Sequence, residues 1–249
     1  IVASALYATS NYVLARARLY DVERDLDKSF YKLINQTSRM SETQQMARDM
    51  ILRHLPDSSD PKTYEQRSRL WNIFNRMVAI MDNMVATHTD CQYLREKMGD
   101  HDALLFMRDT LVILSTTLNH AATDLIRNEP ISYRSSVKAE LRALEFEIEQ
   151  FRKQNLQQED PETYSLIIQI YRRLRNTHFN VEEISNNLRY VKNFQGPPDP
   201  RQIGQEIPAS AKEAIKISPS LLQFRTNSDY SLSRLVHQLK AGLKSAIVR

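Results

Sequence analysis

Apolar residues recur along most of this 249-residue chain at alternating spacings of four and three. Such spacing is typical of long helices packed nearly side by side, because it keeps one apolar stripe of each helix against its neighbours. The pattern occurs in five segments, whose first apolar residues are Leu26, Leu70, Leu104, Val137 and Ile167. The sequence therefore predicts an all-α protein, an elongated bundle of about six or seven long antiparallel helices.

Two of the predicted helices begin at Asp-Pro pairs, at 60–61 and 160–161. In each pair the carboxylate suits the N-cap, and proline suits the first helical position, where its missing N–H is harmless. Gly99 is predicted to end the first of these helices in a left-handed conformation. A helix over about 61–97 would be about 55 Å long. The pairs open similar segments, DPKTY and DPETY, which leaves two hypotheses: a duplicated helical hairpin, or two independent uses of a good helix start.

The composition favours helices and argues against several functions. Only four glycines occur, which disfavours strands joined by tight turns. The 34 basic and 30 acidic residues give a net charge of +4, far from the dense positive charge of a nucleic-acid-binding protein. Cys91 is the single cysteine, so an internal disulfide is excluded and a cytoplasmic setting is expected. No segment has the roughly 20 consecutive apolar residues that span a bilayer.

The chain is predicted to contain three regions. Residues 1–193 form the helical bundle, and 194–228 form a Pro/Gly-rich connector, packed on the bundle because it also contains several large apolar residues. Residues 229–249 are predicted to form a cationic amphipathic helix that leads toward a membrane. The chain begins at Ile1 rather than Met, and both of its ends are helix-like. We therefore expect it to be a segment of a longer protein.

The candidate catalytic and metal-binding residues all have simpler explanations. His88, Cys91 and His101 include zinc-ligand types at short spacing, but His88 and Cys91 continue the apolar stripe of their helix. The glutamates at 145–149 alternate along a helix, so their carboxylates point apart. A glycine-rich phosphate loop and a nucleophile elbow are both missing from the sequence. We expect no enzyme activity, no cofactor and no metal.

Basic side chains on two predicted helices are candidates for contact with a membrane or a partner. They are Arg172, Arg173, Arg175, Arg234, Lys240 and Lys244. Both groups suit an acidic partner or anionic lipid headgroups, and an ordinary solvated helix face also explains them. The sequence alone leaves both interpretations open.

A methionine-rich stretch suggests a second kind of site. Met77, Met81 and Met84 follow Trp71 and Phe74 on one predicted helix. Because methionine adapts to irregular shapes, this stretch either lines a cavity for an aromatic ligand or belongs to the ordinary core.

The first third of the chain resembles a known family. The run NYVLARARLYD is followed by DLDKSFYKLINQTSRMSETQQMARDMILRHLP and then by RSRLWNIFNRMVAIMDNMVAT. A helix ending in an A-R-A-R-L-Y-D stretch thus precedes a long Gln/Ala/Arg-rich helix ending in Arg-x-Leu-Pro, and an arginine-containing amphipathic helix follows. This order is similar to the soluble central domain of the fusaric-acid-resistance (FUSC) family of bacterial inner-membrane proteins, which includes aromatic-acid exporters.

The resemblance implies the cytoplasmic helical domain of an inner-membrane, efflux-type transporter of small aromatic or other organic acids. Its role would be assembly, gating or partner binding. The implied partners are its own transmembrane segments and a membrane surface near both termini, with no nucleic acid. Long amphipathic helices are also compatible with a homo-oligomer. No functional residue is carried over from the family.

Two alternatives stay open. A soluble helical adaptor would use its long lateral faces to bind partner proteins or a membrane surface. A ligand-sensing bundle would hold an aromatic acid in its methionine-rich interior.

Overall fold

The computed structural model describes residues 1–53, 61–85, 91–127 and 136–192. In chain order its helices are α1 (Val2–Ala17), α2 (Leu26–Arg53), α3 (Pro61–Val85), α4 (Cys91–Met98), α5 (Asp102–Arg127), α6 (Lys138–Lys153), α7 (Leu156–Glu159) and α8 (Pro161–Lys192). A 3-10 turn, Arg18–Tyr20, follows α1. These ranges contain no strand, so the predicted all-α class is confirmed.

The chain divides into two units, 1–197 and 198–249, and every described element belongs to the first. The predicted connector at 194–228 and the predicted terminal helix at 229–249 lie outside the described residues. Within the described part of the chain, no helix combines the length and apolar character that a bilayer crossing requires.

Both Asp-Pro pairs coincide with helix starts, since α3 begins at Pro61 and α8 begins at Pro161. At α8, Asp160 Oδ1 accepts a hydrogen bond from the Thr163 backbone N–H (3.1 Å), and Oδ2 accepts one from the Thr163 hydroxyl (2.9 Å). The predicted cap of α8 is therefore confirmed, whereas Asp60 lies outside the described residues. The helix predicted over about 61–97 is represented by α3 and α4, and its continuity through 86–90 stays a prediction.

Gly99 follows α4, as predicted, but the reason for glycine differs from the predicted one. Its backbone does not adopt a left-handed conformation. A Cβ atom at this position would lie 2.7 Å from the backbone oxygen of Arg95. The prediction of a left-handed cap is therefore wrong. Glycine is favoured here because the last turn of α4 comes too close to leave room for a side chain.

Helix α1 lies at the centre of the described bundle. It packs against α5, α2 and α3, and 12 of its 16 residues are buried. A helix that is buried on nearly all sides needs side chains that let its neighbours approach, and five of the twelve are alanine. The other contacts between long helices join α8 to α3, α5 and α6, α5 to α6, and α2 to α3.

The predicted apolar stripes form the core around α1. Their fully buried members include Met40, Met77, Met107, Leu111, Leu114, Leu118, Leu144, Ile167 and Ile184. Members at the edge of the core are only partly buried, and these include Phe30, Leu70, Met81 and Leu125. The alternating spacing thus located the core, although it did not indicate which helix is central.

Candidate functional site

The predicted metal-type residues do not converge. Cys91 is buried at the start of α4, as expected of a packing residue, and His101 is exposed, with its ring edge-on to Phe151 at 5.2 Å between centroids. His88 lies outside the described residues. Within the described ranges, no group of three or more His, Cys, Asp and Glu side chains could hold a metal ion.

The arginines predicted as one contact group on α8 face different surroundings. Arg172 and Arg175 are exposed, and the Arg175 guanidinium lies 5.8 Å from the centre of the Tyr171 ring. Arg173 is half-buried and lines a cleft together with Arg16. The structure therefore separates Arg173 from its two neighbours. The other candidates, Arg234, Lys240 and Lys244, lie outside the described residues.

The methionine-rich stretch of α3 belongs mainly to the core. Met77 and Met84 are buried and Met81 is partly buried, while the rings of Trp71 and Phe74 stack at 5.3 Å between centroids. Met84 also lines the cleft that contains Arg173. Of the two interpretations of this stretch, the structure favours core packing, with one methionine reaching a polar cleft.

This cleft, called here the Arg16–Arg173 cleft, has a volume of about 10 Å³. Its lining residues come from α1, the 3-10 turn, α3, α5 and α8, and they are Arg16, Tyr20, Asn83, Met84, Leu111, Ile170, Arg173 and Leu174. Arg16 and Tyr20 are 8% and 5% exposed, whereas Asn83 and Arg173 are half-buried. The cleft therefore extends from the surface into the core, and it has room for about one water molecule.

The cleft is positively charged and partly desolvated. Burial lowers the pKa of Arg173; Tyr20 opposes this shift, and the nearby positive charge of Arg16 adds to it. Within the described ranges, no carboxylate lies within ion-pairing distance of Arg173, whose charged and titratable neighbours are Tyr20 and Arg16. Two guanidinium groups that are far apart in the sequence thus line one small cleft.

Tyr20 supplies a hydroxyl donor at this site. Burial raises its pKa, an effect that Arg16 and Arg173 only partly offset, and its side chain is hydrogen-bonded to Arg16. Burial also raises the pKa of the neighbouring Tyr12 to about 12. Both phenols are therefore protonated at neutral pH.

Arg95 holds the chain segment that carries Tyr20. From α4, its guanidinium donates hydrogen bonds to the backbone oxygens of Leu19 (2.8 Å), Arg18 (3.0 Å) and Arg24 (2.8 Å). These acceptors lie in and after the 3-10 turn that ends α1, where the regular helical hydrogen bonds end and a cation is favourable; the Arg18 oxygen also accepts a bond from the Asp21 backbone N–H (3.3 Å). Arg95 therefore positions the inner end of the cleft.

A second polar cluster crosses the core between α1 and α5. The hydroxyl of Ser10 donates to the Ser115 backbone oxygen (2.8 Å), and the hydroxyl of Ser115 donates to the Ser10 backbone oxygen (2.9 Å). On the other side of α1, the Gln44 amide donates to the Thr9 hydroxyl (3.2 Å) and to the Met77 backbone oxygen (3.5 Å). Because buried polar groups need their partners, these bonds fix the position of α1 along its neighbours.

Sequence reasoning missed both polar clusters. In the sequence, Arg16 stands out only as part of the family-like A-R-A-R stretch, and Arg173 resembles its neighbours Arg172 and Arg175. One signal was present, since Arg16 stands between alanines in a segment otherwise rich in small and apolar residues. Nothing in the sequence spacing joined Arg16 to Arg173.

The fold and the polar clusters define an all-helical bundle protein, and a fold of this kind names no activity by itself. A family model described as FUSC-like inner membrane protein yccS matches residues 1–186. The chain therefore belongs to the FUSC-like inner membrane protein family. The predicted resemblance of the first third to this family is confirmed and extends into α8, whereas its assignment to the soluble central domain stays a prediction. This membership indicates an inner-membrane protein of transporter type. No curated protein and no solved structure matches the chain.

Proposed function

We propose that residues 1–193 are the cytoplasmic helical domain of an inner-membrane, efflux-type transporter of small aromatic or other organic acids. The observation that carries this proposal is the family match over 1–186, which includes nearly all of the described bundle. The domain acts in assembly, gating or partner binding, and its mechanism is conformational coupling without catalysis.

The central position of α1 supports a coupling role. Packed helices are close to incompressible and change between discrete arrangements, so a displaced helix displaces its neighbours. Because α1 packs against α2, α3 and α5, a movement of α1 would reach three long helices at once. The mean hydropathy of −0.51 also fits a domain with extensive water-exposed faces.

The location can be tested by inserting reporters between residues 128 and 135 of the natural full-length protein. Green fluorescent protein is expected to fluoresce there, and alkaline phosphatase is expected to be inactive, since each reporter matures on only one side of the membrane. Active phosphatase together with dark fluorescent protein would refute a cytoplasmic domain.

The transport role can be tested by measuring efflux of benzoate from preloaded cells that lack the gene. The wild-type gene is expected to restore efflux, and so is Ser4→Leu, which lies on the exposed side of α1. Ser10→Leu, which disrupts the contact of α1 with α5, is expected to fail even when equal amounts reach the membrane. Full efflux with Ser10→Leu would exclude coupling through α1, and unchanged efflux in the deletion strain would exclude the substrate class.

The sequence encoded on either side of this segment distinguishes the soluble-adaptor hypothesis from the transporter hypothesis. The transporter proposal expects several stretches of about 20 apolar residues in the flanking sequence. An adaptor needs none of them. Flanks without such stretches would decide for the adaptor.

A further inference from the structure

We propose that an uncharged face formed by α1 and α5 is the surface through which two copies of this chain form an antiparallel, two-fold symmetric dimer. The inference goes beyond the proposed transport function, because self-association requires no substrate. It assigns a specific surface to the homo-oligomer with which long amphipathic helices are compatible.

Exposed residues recur on α5 at intervals of seven. Leu105, Val112 and Ile126 are 38%, 37% and 73% exposed, and the exposed Asn119 occupies the remaining position of the repeat. A seven-residue apolar repeat is the pattern by which one helix packs along another, and a single asparagine within it can fix the register. The core of the described bundle uses a different stripe of α5, which includes Leu104, Leu111 and Leu118.

The outer side of α1 continues this surface. The two helices are antiparallel, since Ser10 bonds Ser115 near their middles. Asp21, just after α1, lies 3.9 Å from Arg108 near the start of α5. With about 3.6 residues per turn, the outer stripes of both helices lie on the same side of the Ser10–Ser115 contact. The combined surface, called here the α1–α5 face, consists of the exposed or half-buried residues Tyr7, Asn11, Leu14, Leu105, Val112, Thr116, Asn119 and Ile126.

The helices that form this face lack charge over long stretches. Residues 1–15 and 110–123 contain no Asp, Glu, Lys or Arg. In contrast, α2, α6 and α8 expose charged residues that include Lys32, Arg39, Lys138, Arg142, Arg172 and Glu182. A water-exposed helix face normally carries charges, whereas the centre of a protein interface is depleted of them. The pattern therefore indicates contact with another protein surface.

The charges at the ends of α5 favour a second copy as the partner. Asp102 lies in the first turn of α5 and Arg127 in the last, and both are exposed. In an antiparallel pair of α5 helices, Asp102 of each copy lies near the partner's Arg127. The same arrangement brings Leu105 near the partner's Ile126, because both pairs are placed almost symmetrically about the middle of α5. The face is thus complementary to itself, as a two-fold interface requires.

The size of the face also fits a dimer. Helix α5 has 26 residues and α1 has 16, so their lengths are about 39 Å and about 24 Å. With about 10 Å of width for each helix, they present about 600 Å² per copy. Two copies would bury about 1,200 Å², the lower limit of a stable, specific interface. Because α5 alone would contribute only about 400 Å² per copy, the α1 part of the face is required.

The first test is sedimentation equilibrium of the complete 249-residue chain. The wild type is expected to have twice the chain mass of 29.0 kDa. Asn119→Glu and Tyr7→Glu are each expected to raise the dimer dissociation constant by about tenfold or more, since each places a charge in a contact that excludes water. Asn176→Glu, on the exposed side of α8, is the matched control and should dimerise like the wild type. Circular dichroism checks that all variants keep the wild-type helicity.

Disulfide cross-linking tests the orientation of the two copies. A mixture of the Leu105→Cys chain and the Ile126→Cys chain is expected to form an intermolecular disulfide, whereas either chain alone is not. Cys91 is buried and serves as the unreactive background. Cross-linking of either chain alone would contradict the antiparallel arrangement.

Three results would overturn the dimer. They are a monomeric wild type, equal weakening by Asn119→Glu and Asn176→Glu, and a monomer that binds phosphatidylglycerol vesicles only when Asn119 is intact. The last result would show that the α1–α5 face contacts a membrane instead. Each of them would leave the transport proposal unaffected.

Discussion

Arg95 and Asp160 represent two different ways in which single side chains hold this bundle together. The helix cap that Asp160 forms is local, because its bonds to Thr163 reach only three residues along the chain, although Lys97 (3.5 Å) and the Tyr93 hydroxyl (3.4 Å) also contact its carboxylate. Arg95 acts at long range, since its three backbone acceptors lie more than 70 residues earlier in the sequence. The first contact could be predicted from an Asp-Pro pair, and the second could not be predicted from any spacing.

Replacing Arg95 with alanine is expected to lower the free energy of unfolding by about 2 kcal/mol or more, because three backbone carbonyls lose a charged donor. Urea denaturation followed by circular dichroism measures the change. Arg142→Ala on the exposed side of α6 is the matched control and should change stability by less than about 0.5 kcal/mol. Similar losses in the two variants would show that the Arg95 contacts do not stabilise the fold.

Asp160 is expected to make stability depend on pH in the acid range. The backbone N–H of Thr163, its hydroxyl and the nearby Lys97 hold the pKa of Asp160 below its ordinary value. A lowered folded-state pKa means that the cap contributes fully above the unfolded value of about 3.9 and is lost as the pH falls through the folded value.

Two variants at this position separate the cap from its charge. Asp160→Ala is expected to cost about 1 kcal/mol at pH 7, while Asp160→Asn keeps a capping side chain. Urea denaturation between pH 7 and about pH 3 should show a weaker acid dependence for Asp160→Asn than for the wild type. If Asp160→Asn and the wild type show the same acid dependence, other carboxylates are responsible for it.

At the scale of elements, α1 is placed by small side chains and by paired serines rather than by large apolar contacts alone. Ser10 and Ser115 bond to each other's backbone, which requires the two helices to approach closely. Gln44 and Thr9 provide the corresponding polar contact with α2. The position of α1 is therefore specified by bonds that a purely apolar helix would lack.

Ser10→Leu is expected to destabilise the protein by at least about 2 kcal/mol, because it overpacks the contact between α1 and α5 and removes the hydroxyl that donates to the Ser115 backbone oxygen. Urea denaturation measures the change in free energy. Ser4→Leu introduces the same side chain on the exposed side of the same helix and should stay within about 0.5 kcal/mol of the wild type. A tolerated Ser10→Leu would mean that α1 and α5 can separate without loss.

The end of α4 offers a second prediction at this scale. Gly99→Ala is expected to cost about 1–3 kcal/mol, because the new Cβ must move away from a backbone oxygen that has little freedom to yield. Asp100→Ala, at the exposed next position, is the control. Thermal denaturation compares the two. A neutral Gly99→Ala would show that this turn relaxes easily.

At the scale of the whole molecule, the described core is formed entirely by residues 2–188. This range lies within the unit 1–197 and coincides closely with the family match over 1–186. A set of helices that shares one continuous core is expected to unfold cooperatively.

A chain that ends at residue 197 is therefore expected to keep its helical circular dichroism and to unfold in a single transition. The complete chain is the reference. If the connector at 194–228 packs on the bundle as predicted, the complete chain will have the larger urea m value, because it exposes more surface on unfolding. Gradual, non-cooperative melting of the shorter chain would show that residues 1–197 do not form a complete folding unit.

The sequence by itself determined the helical class, the start of α8, and many of the apolar residues that are buried in the helices after α1. These features depend on residues within one or two helical turns of one another. They can therefore be predicted from apolar spacings of three and four residues and from an Asp-Pro pair. The sequence also contained the family resemblance, which lies in the order of the helical segments in the first third of the chain.

Only the tertiary structure decided that α1 is central, that Ser10 meets Ser115, and that Arg16 and Arg173 share a cleft. Helical periodicity states which face of a helix is buried, but many pairings of neighbours bury the same faces. Arg172, Arg173 and Arg175 looked alike in sequence because their charges are identical. Their surroundings differ because the packing of α8 against the bundle turns Arg173 toward the cleft and leaves Arg172 and Arg175 exposed to solvent.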